Sequence, residues 1–266
     1  MIAIATGISA VFFYALSTLL QGQSLIRGVD KHRNVLQCAV LALLLHLLNV
    51  IQVIATDTGL DFGFFKIVTL FSWTIAITVV VSSLKKPLAN LFLALFPLAI
   101  ISIVCSLWLP SGYIPQPNPG GGVLLHIMLG IMSFALITIA AVQALLIAWL
   151  NRELKHKHFS AVLHHLPPLQ TMEVLLFEII FVGFVLLLAV ITSGFLFMDN
   201  MFAQHLVHKT VLTVVSTSVF GVLLWGRYQL GWRGNTALRW TLSGFAVLIL
   251  AYFGSKFVLE FILNRV

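Results

Sequence analysis

Three histidines, His46, His126 and His208, fall within or at the ends of long apolar stretches. An imidazole can ligate a metal or carry a proton, and a buried ionisable group in a membrane is costly and usually functional. His46 sits about eight residues from the outer end of its stretch, on the order of 12 Å deep at the rise of an α-helix. Asn49 is three residues on, shares its helical face and could orient the ring. A hydrogen bond between helices explains His46 equally well. His126 opens the run GVLLHIMLGIMSFALI, where Gly130 and Ser133 continue its face as a narrow stripe of small residues. Such a stripe lets another helix or a flat ligand come close. His208 begins a later stretch beside Lys209, and His205 lies three residues earlier.

His126 and His208 are therefore expected at one outer level of the membrane on different helices. Two imidazoles at one depth could ligate the two faces of a haem iron. Histidines also tolerate half-wet interfacial positions without any ligand. Lys66, Lys209 and Lys256 are expected near the outer helix ends, where an ammonium could meet a propionate as a point charge or simply snorkel to headgroups.

The elements that must position these residues follow from composition. The 266 residues are 60% hydrophobic and 9% charged, against about a quarter charged in soluble domains. At roughly 20 residues per crossing, membrane helices are expected near 2–22, 35–54, 62–84, 88–109, 123–150, 175–198, 209–230 and 237–259. The apolar runs are continuous and lack the period-two alternation of barrel strands. The expected fold is an all-α polytopic membrane protein, one transmembrane domain spanning 1–266. Eleven basic residues (Arg27, Lys31, Arg33, Lys85, Lys86, Arg152, Lys155, Lys157, Arg227, Arg233 and Arg239) fall on one side and four (Lys66, Lys209, Lys256 and Arg265) on the other. The excess of basic loops marks the cytoplasm and places both termini in the periplasm of a bacterial inner membrane. The net charge of +7 is explained by these loops, so nucleic acid is not an expected partner; the lipid bilayer is.

The remaining segments carry weaker signals. The outer segment 110–122 is rich in Pro and Gly and reads as an irregular loop, a connector or a cap over an outward pocket. The cytoplasmic stretch 151–174 holds His156, His158, His164 and His165, but Arg152, Lys155 and Lys157 beside them would repel a cation. Cys38 and Cys105 form no CxxC and read as small buried residues. The tryptophans mostly sit where an aromatic belt would place them. No Walker loop, GxSxG, HExxH or CxxCH is present, and no paired carboxylates lie at bilayer depth. No catalytic residue is assigned, and no enzymatic activity is expected.

Three motifs occur in a familiar order: His126-Ile-Met-Leu-Gly-Ile-Met-Ser133, Thr192-Ser-Gly194-Phe, and Leu224-Trp-Gly-Arg-Tyr-Gln-Leu-Gly-Trp-Arg-Gly234, followed by Ala251-Tyr-Phe-Gly-Ser255. The chain resembles the cytochrome c assembly family that includes the haem-handling CcsA and CcmC proteins, and within it an eight-helix branch of HemX type. The resemblance implies haem held on the outer face by histidines flanking a tryptophan-rich loop, with His126 matching one of them. Segment 199–208 occupies the loop's place but has no tryptophan, and no histidine lies around Trp225–Arg227. These departures speak against catalytic haem attachment. They leave His208 or His46 as the partner of His126, and Lys66 or Lys209 for the propionates.

Three readings follow. The first is a haem-binding accessory protein in cytochrome c assembly or haem trafficking, with cytochrome c maturation proteins or other membrane proteins as partners. The second is a haem-free scaffold or regulator of HemX type. The third, a small-molecule transporter, is disfavoured by the lack of visible repeats and of paired broken helices.

Overall fold

The computed structural model describes residues 2–29, 31–56, 59–109, 120–156, 165–198 and 207–254. The helices are α1 Ile2–Arg27, α2 His32–Ile54, α3 Phe64–Ser83, α4 Phe92–Trp108, α5 Gly121–Lys155, α6 Leu169–Phe197, α7 Val207–Leu230 and α8 Asn235–Ile249. A 3-10 turn, Ala89–Leu91, leads into α4, and a π-helical turn, Leu250–Gly254, continues α8. All eight spans are long and apolar enough to cross a membrane. Helices satisfy every backbone group internally, which lipid demands of a spanning chain.

Several boundaries differ from the hydropathy reading, with α1 running on to Arg27 and α5 to Lys155. Helix α6 begins at Leu169, about a turn and a half before its apolar run, because the Pro168 carbonyl already accepts the Met172 N–H. Its polar first turns are anchored, since Glu173 Oε1 accepts the Gly234 N–H at 3.1 Å. The connection after α2 contains two two-residue strands, Ala55–Thr56 and Gly59–Leu60, paired antiparallel.

The chain divides into two compact units: residues 1–118 with 156–167, and residues 119–155 with 168–266. In the first, α1 packs on α2, α2 on α3, α3 on α4, and α4 back on α1. Asn49 reaching Ala3 and Gln21 reaching Asn90 show that α1 runs antiparallel to both neighbours. In the second, α5 packs on α6, α6 on α7, α7 on α8, and α8 back on α5. Each unit is thus an up-and-down four-helix ring with the same neighbour order, a repeat that is not visible in the residues themselves.

Most buried hydroxyls bond carbonyls of their own helix, as Ser106 does to Ile103, Thr138 to Phe134 and Thr241 to Ala237. That local bonding leaves few polar links between helices. The first unit is tied by Trp73 Nε1 donating to the Leu43 carbonyl at 3.0 Å and by Ser72 facing Ser102 at 2.5 Å. Trp73 is therefore a packing residue, whereas Trp108 and Trp225 are exposed as a belt requires. Cys38 and Cys105 are free, and half-buried rather than buried.

The Gly231–Gly234 turn has a structural task in the second unit. Both glycines adopt positive φ, +67° and +58°, which bends the chain from α7 into α8. Trp232 folds back onto Gly226, where an added Cβ would lie 2.3 Å from the indole, and it stacks on Trp240. Arg227 donates to the Trp232 carbonyl and lies 4.5 Å over the Phe177 ring. The motif Leu224–Gly234 is thus a clamp between α6, α7 and α8.

Candidate functional site

His46 is fully buried in the first unit. Its Nδ1 lies 3.2 Å from the Tyr14 hydroxyl on α1, and its Nε2 lies 3.0 Å from Thr69 Oγ1 on α3. Both ring nitrogens are engaged whichever tautomer is present. The ring is a three-helix hydrogen-bonded tie, and service as a haem ligand would require one of these two hydrogen bonds to open. Asn49 is also fully buried but faces α1 instead, donating to the Ala3 carbonyl at 2.8 Å. Its Oδ1 has no hydrogen-bond partner among the described residues.

Lys66 likewise belongs to the first unit and is already paired. Its ammonium contacts Asp61, whose other oxygen accepts the Gly63 N–H at 2.9 Å and shapes the entry to α3. An ammonium held by its own loop would have to leave Asp61 to meet a propionate.

His126 is different. It lies in the first turns of α5, half-buried, with Nδ1 3.0 Å from Ser193 Oγ near the end of α6. Two of the motifs singled out in the sequence therefore meet here, since Ser193 is the centre of Thr192-Ser-Gly194. Glycine lets the two helices close around them: an added Cβ at Gly122 would lie 2.4 Å from the Phe197 ring. One turn inward, the Gly130–Ser133 stripe is filled by α8. A Cβ at Gly130 would be 3.0 Å from the Tyr252 hydroxyl, and Phe134 contacts the rings of Phe245, Tyr252 and Phe253. The stripe thus accommodates a neighbouring helix rather than a flat ligand. Tyr252 sits in the π-helical turn, a local irregularity often found at functional positions.

The α7 end of the same unit supplies His208 and Lys209. His208 is exposed and Lys209 half-buried, with no acidic partner among the described residues. His205, Lys256 and most of segment 110–122 lie outside the described residues, as do His158 and His164. No group of three or more His, Cys, Asp or Glu that could hold a metal ion occurs among the described residues. A haem needs fewer protein ligands, and the donor set at this end suits it: one imidazole held at Nδ1, a second histidine, and an unpaired ammonium. Ser193 and Tyr252 were absent from the sequence-derived candidates, though both sit in motifs already noted there.

Eight apolar helices in two rings, one carrying a tethered histidine near its end, define a polytopic membrane protein with a candidate ligand site. The chain matches the family described as cytochrome C assembly protein over residues 35–263, and it belongs to that family. The inner membrane protein YpjD of Escherichia coli K12 is 33% identical over 226 residues, covering 84% of this chain and 86% of its own. YpjD of Escherichia coli O157:H7 gives the same values. A 28.8 kDa protein in the nifR3-like 5′ region of Azospirillum brasilense is 33% identical over 157 residues, 58% of each chain. No solved structure matches. With its eight spans, the chain is a multi-pass protein of the inner membrane.

Proposed function

We propose that this protein holds haem at the His126 end of its second unit, as an accessory in cytochrome c assembly or haem trafficking. The observation that carries the reading is His126 itself, with Nδ1 3.0 Å from Ser193 Oγ and no other side-chain partner among the described residues, in a chain of the cytochrome c assembly family. His208 on α7 is the second iron ligand, and Lys209 pairs with a propionate. A bound haem supplies the iron and two carboxylates; the protein's part is to hold and release it, with no bond made or broken. The eleven-to-four asymmetry of basic residues supports an outward-facing site and periplasmic termini.

The test is the absorption spectrum of detergent-purified protein, oxidised and dithionite-reduced, followed by haem titration. Saturable binding with sharp reduced α and β bands is expected. A flat spectrum with no saturable binding would replace this reading with the haem-free scaffold. That alternative draws on Arg227: where the family carries its other histidine, this chain has a clamp of Arg227, Phe177 and Trp232.

The lysines separate cleanly in the same titration. Lys209→Ala is expected to weaken haem binding about two- to five-fold, the range of a partly exposed ion pair. Lys66→Ala leaves affinity unchanged, because its ammonium already serves Asp61. Equal losses in both variants would remove Lys209 from the site.

A further inference from the structure

We propose that Ser193 is a positioning residue that fixes His126 as its Nδ1–H tautomer and leaves Nε2 as the sole donor lone pair. The proposal rests on the haem reading above and names the group on which that reading depends. Its basis is a count of protons. A serine hydroxyl has one proton and two lone pairs, and a neutral imidazole has one N–H and one lone pair. Ser193 Oγ lies 3.0 Å from the Val190 carbonyl, three residues back in its own helix. A carbonyl can only accept, so the hydroxyl proton is committed there. Ser193 Oγ also lies 3.0 Å from His126 Nδ1. With the hydroxyl proton in use, the proton between them belongs to the ring, and Nδ1 donates. The Val190 backbone is also a hydrogen-bond partner of the ring, and a carbonyl there draws a ring N–H toward α6. Nε2 then carries the lone pair, and it has no side-chain partner among the described residues.

The arrangement differs from His46 in a way that decides their roles. His46 has hydroxyls on both nitrogens, so its ring is closed to a metal while both bonds hold. Among the described residues, the His126 ring has one hydroxyl, on Nδ1, so the ring is aimed and Nε2 has no side-chain partner. A ligating histidine generally donates its other N–H to a partner that sets tautomer and orientation, and losing that partner costs about 10–100-fold in metal affinity. A hydroxyl whose proton is already engaged is a neutral acceptor. It orients the ring without the added basicity that a carboxylate would confer, which suits cargo that must leave.

Three variants test this: Ser193→Ala, Ser193→Thr and His126→Ala. In haem-free protein labelled with 15N-histidine and reconstituted in bilayers, the His126 signals are assigned by their loss in His126→Ala. Wild type is expected to show a protonated Nδ1 and an unprotonated Nε2, and Ser193→Ala a mixture of tautomers. In haem titration, Ser193→Ala is expected to weaken binding about 10–100-fold. Ser193→Thr, which keeps the hydroxyl, restores both readouts. An Nε2–H tautomer in wild type, or unchanged tautomer and affinity in Ser193→Ala, would overturn the role of Ser193. Failure of the haem reading is seen separately: His126→Ala would then bind haem as wild type does, or no variant would bind it, while the nitrogen spectra still decide what Ser193 does.

Discussion

Replacing His126 by alanine is expected to abolish saturable haem binding, weakening it by more than a hundredfold, whereas His208→Ala costs about tenfold or less. The asymmetry comes from preorganisation. His126 is half-buried and tethered at Nδ1 by Ser193, so little freedom remains to be lost when Nε2 takes up iron. Loss of an outer partner alone costs about 10–100-fold, and loss of the ligand itself must exceed that. His208 is exposed and carries no hydrogen bond among the described residues. Ordering such a side chain consumes about 0.5–1.5 kcal/mol of what its bond to iron returns. His208→Ala should therefore leave haem bound through His126, with the sharp low-spin bands replaced by a broader five-coordinate spectrum. The comparison is read from titrations of the two purified variants beside wild type. Equal losses, or a larger loss at His208, would mean that the site is not organised around His126.

The spans were legible because lipid admits only helices and closed barrels, and continuous runs of about twenty apolar residues announce helices. What hydropathy could not show was polar sequence that is helical for another reason, such as the first turns of α6, anchored through Glu173 to Gly234. The common neighbour order of the two units was hidden too, since any apolar residue of suitable size satisfies a helix contact. The argument against a transporter from missing repeats loses force accordingly. At the site, His126 was found by residue type and by its place in a motif. Ser193 was not given a role, because its partner is 67 residues away and only packing brings them together. The reverse held for Lys66. Asp61 lies five residues before it, and a local acid-base pair at a helix entry was readable without any structure. His46 was the hardest to judge from sequence. Its chemistry is that of a ligand, and its actual partners, Tyr14 and Thr69, come from two other helices.

That difference makes His46 the second large effect, in stability rather than binding. His46→Ala is expected to destabilise the protein by about 3 kcal/mol while leaving haem affinity and spectrum intact. The ring is fully buried, and truncating a buried side chain of this size costs about 2–5 kcal/mol through lost packing and the cavity left behind. The hydroxyls of Tyr14 and Thr69 lose their partner as well. Interhelical hydrogen bonds in membranes average only about 0.6 kcal/mol, with a maximum near 1.7, so packing outweighs hydrogen bonding here. Tyr14→Phe separates the two: it keeps the ring beside Phe96 and removes only the hydroxyl, and should cost about 1 kcal/mol or less. At about 2–4 °C per kcal/mol for a chain of this size, thermal unfolding in detergent should show His46→Ala melting about 6–12 °C below wild type and Tyr14→Phe within about 4 °C of it. A variant that melts normally but loses haem would make His46 a ligand after all, and would mean that the closed ring between Tyr14 and Thr69 opens when haem binds. A variant that melts low and binds haem normally assigns the two histidines opposite tasks, one holding helices together and one held by them.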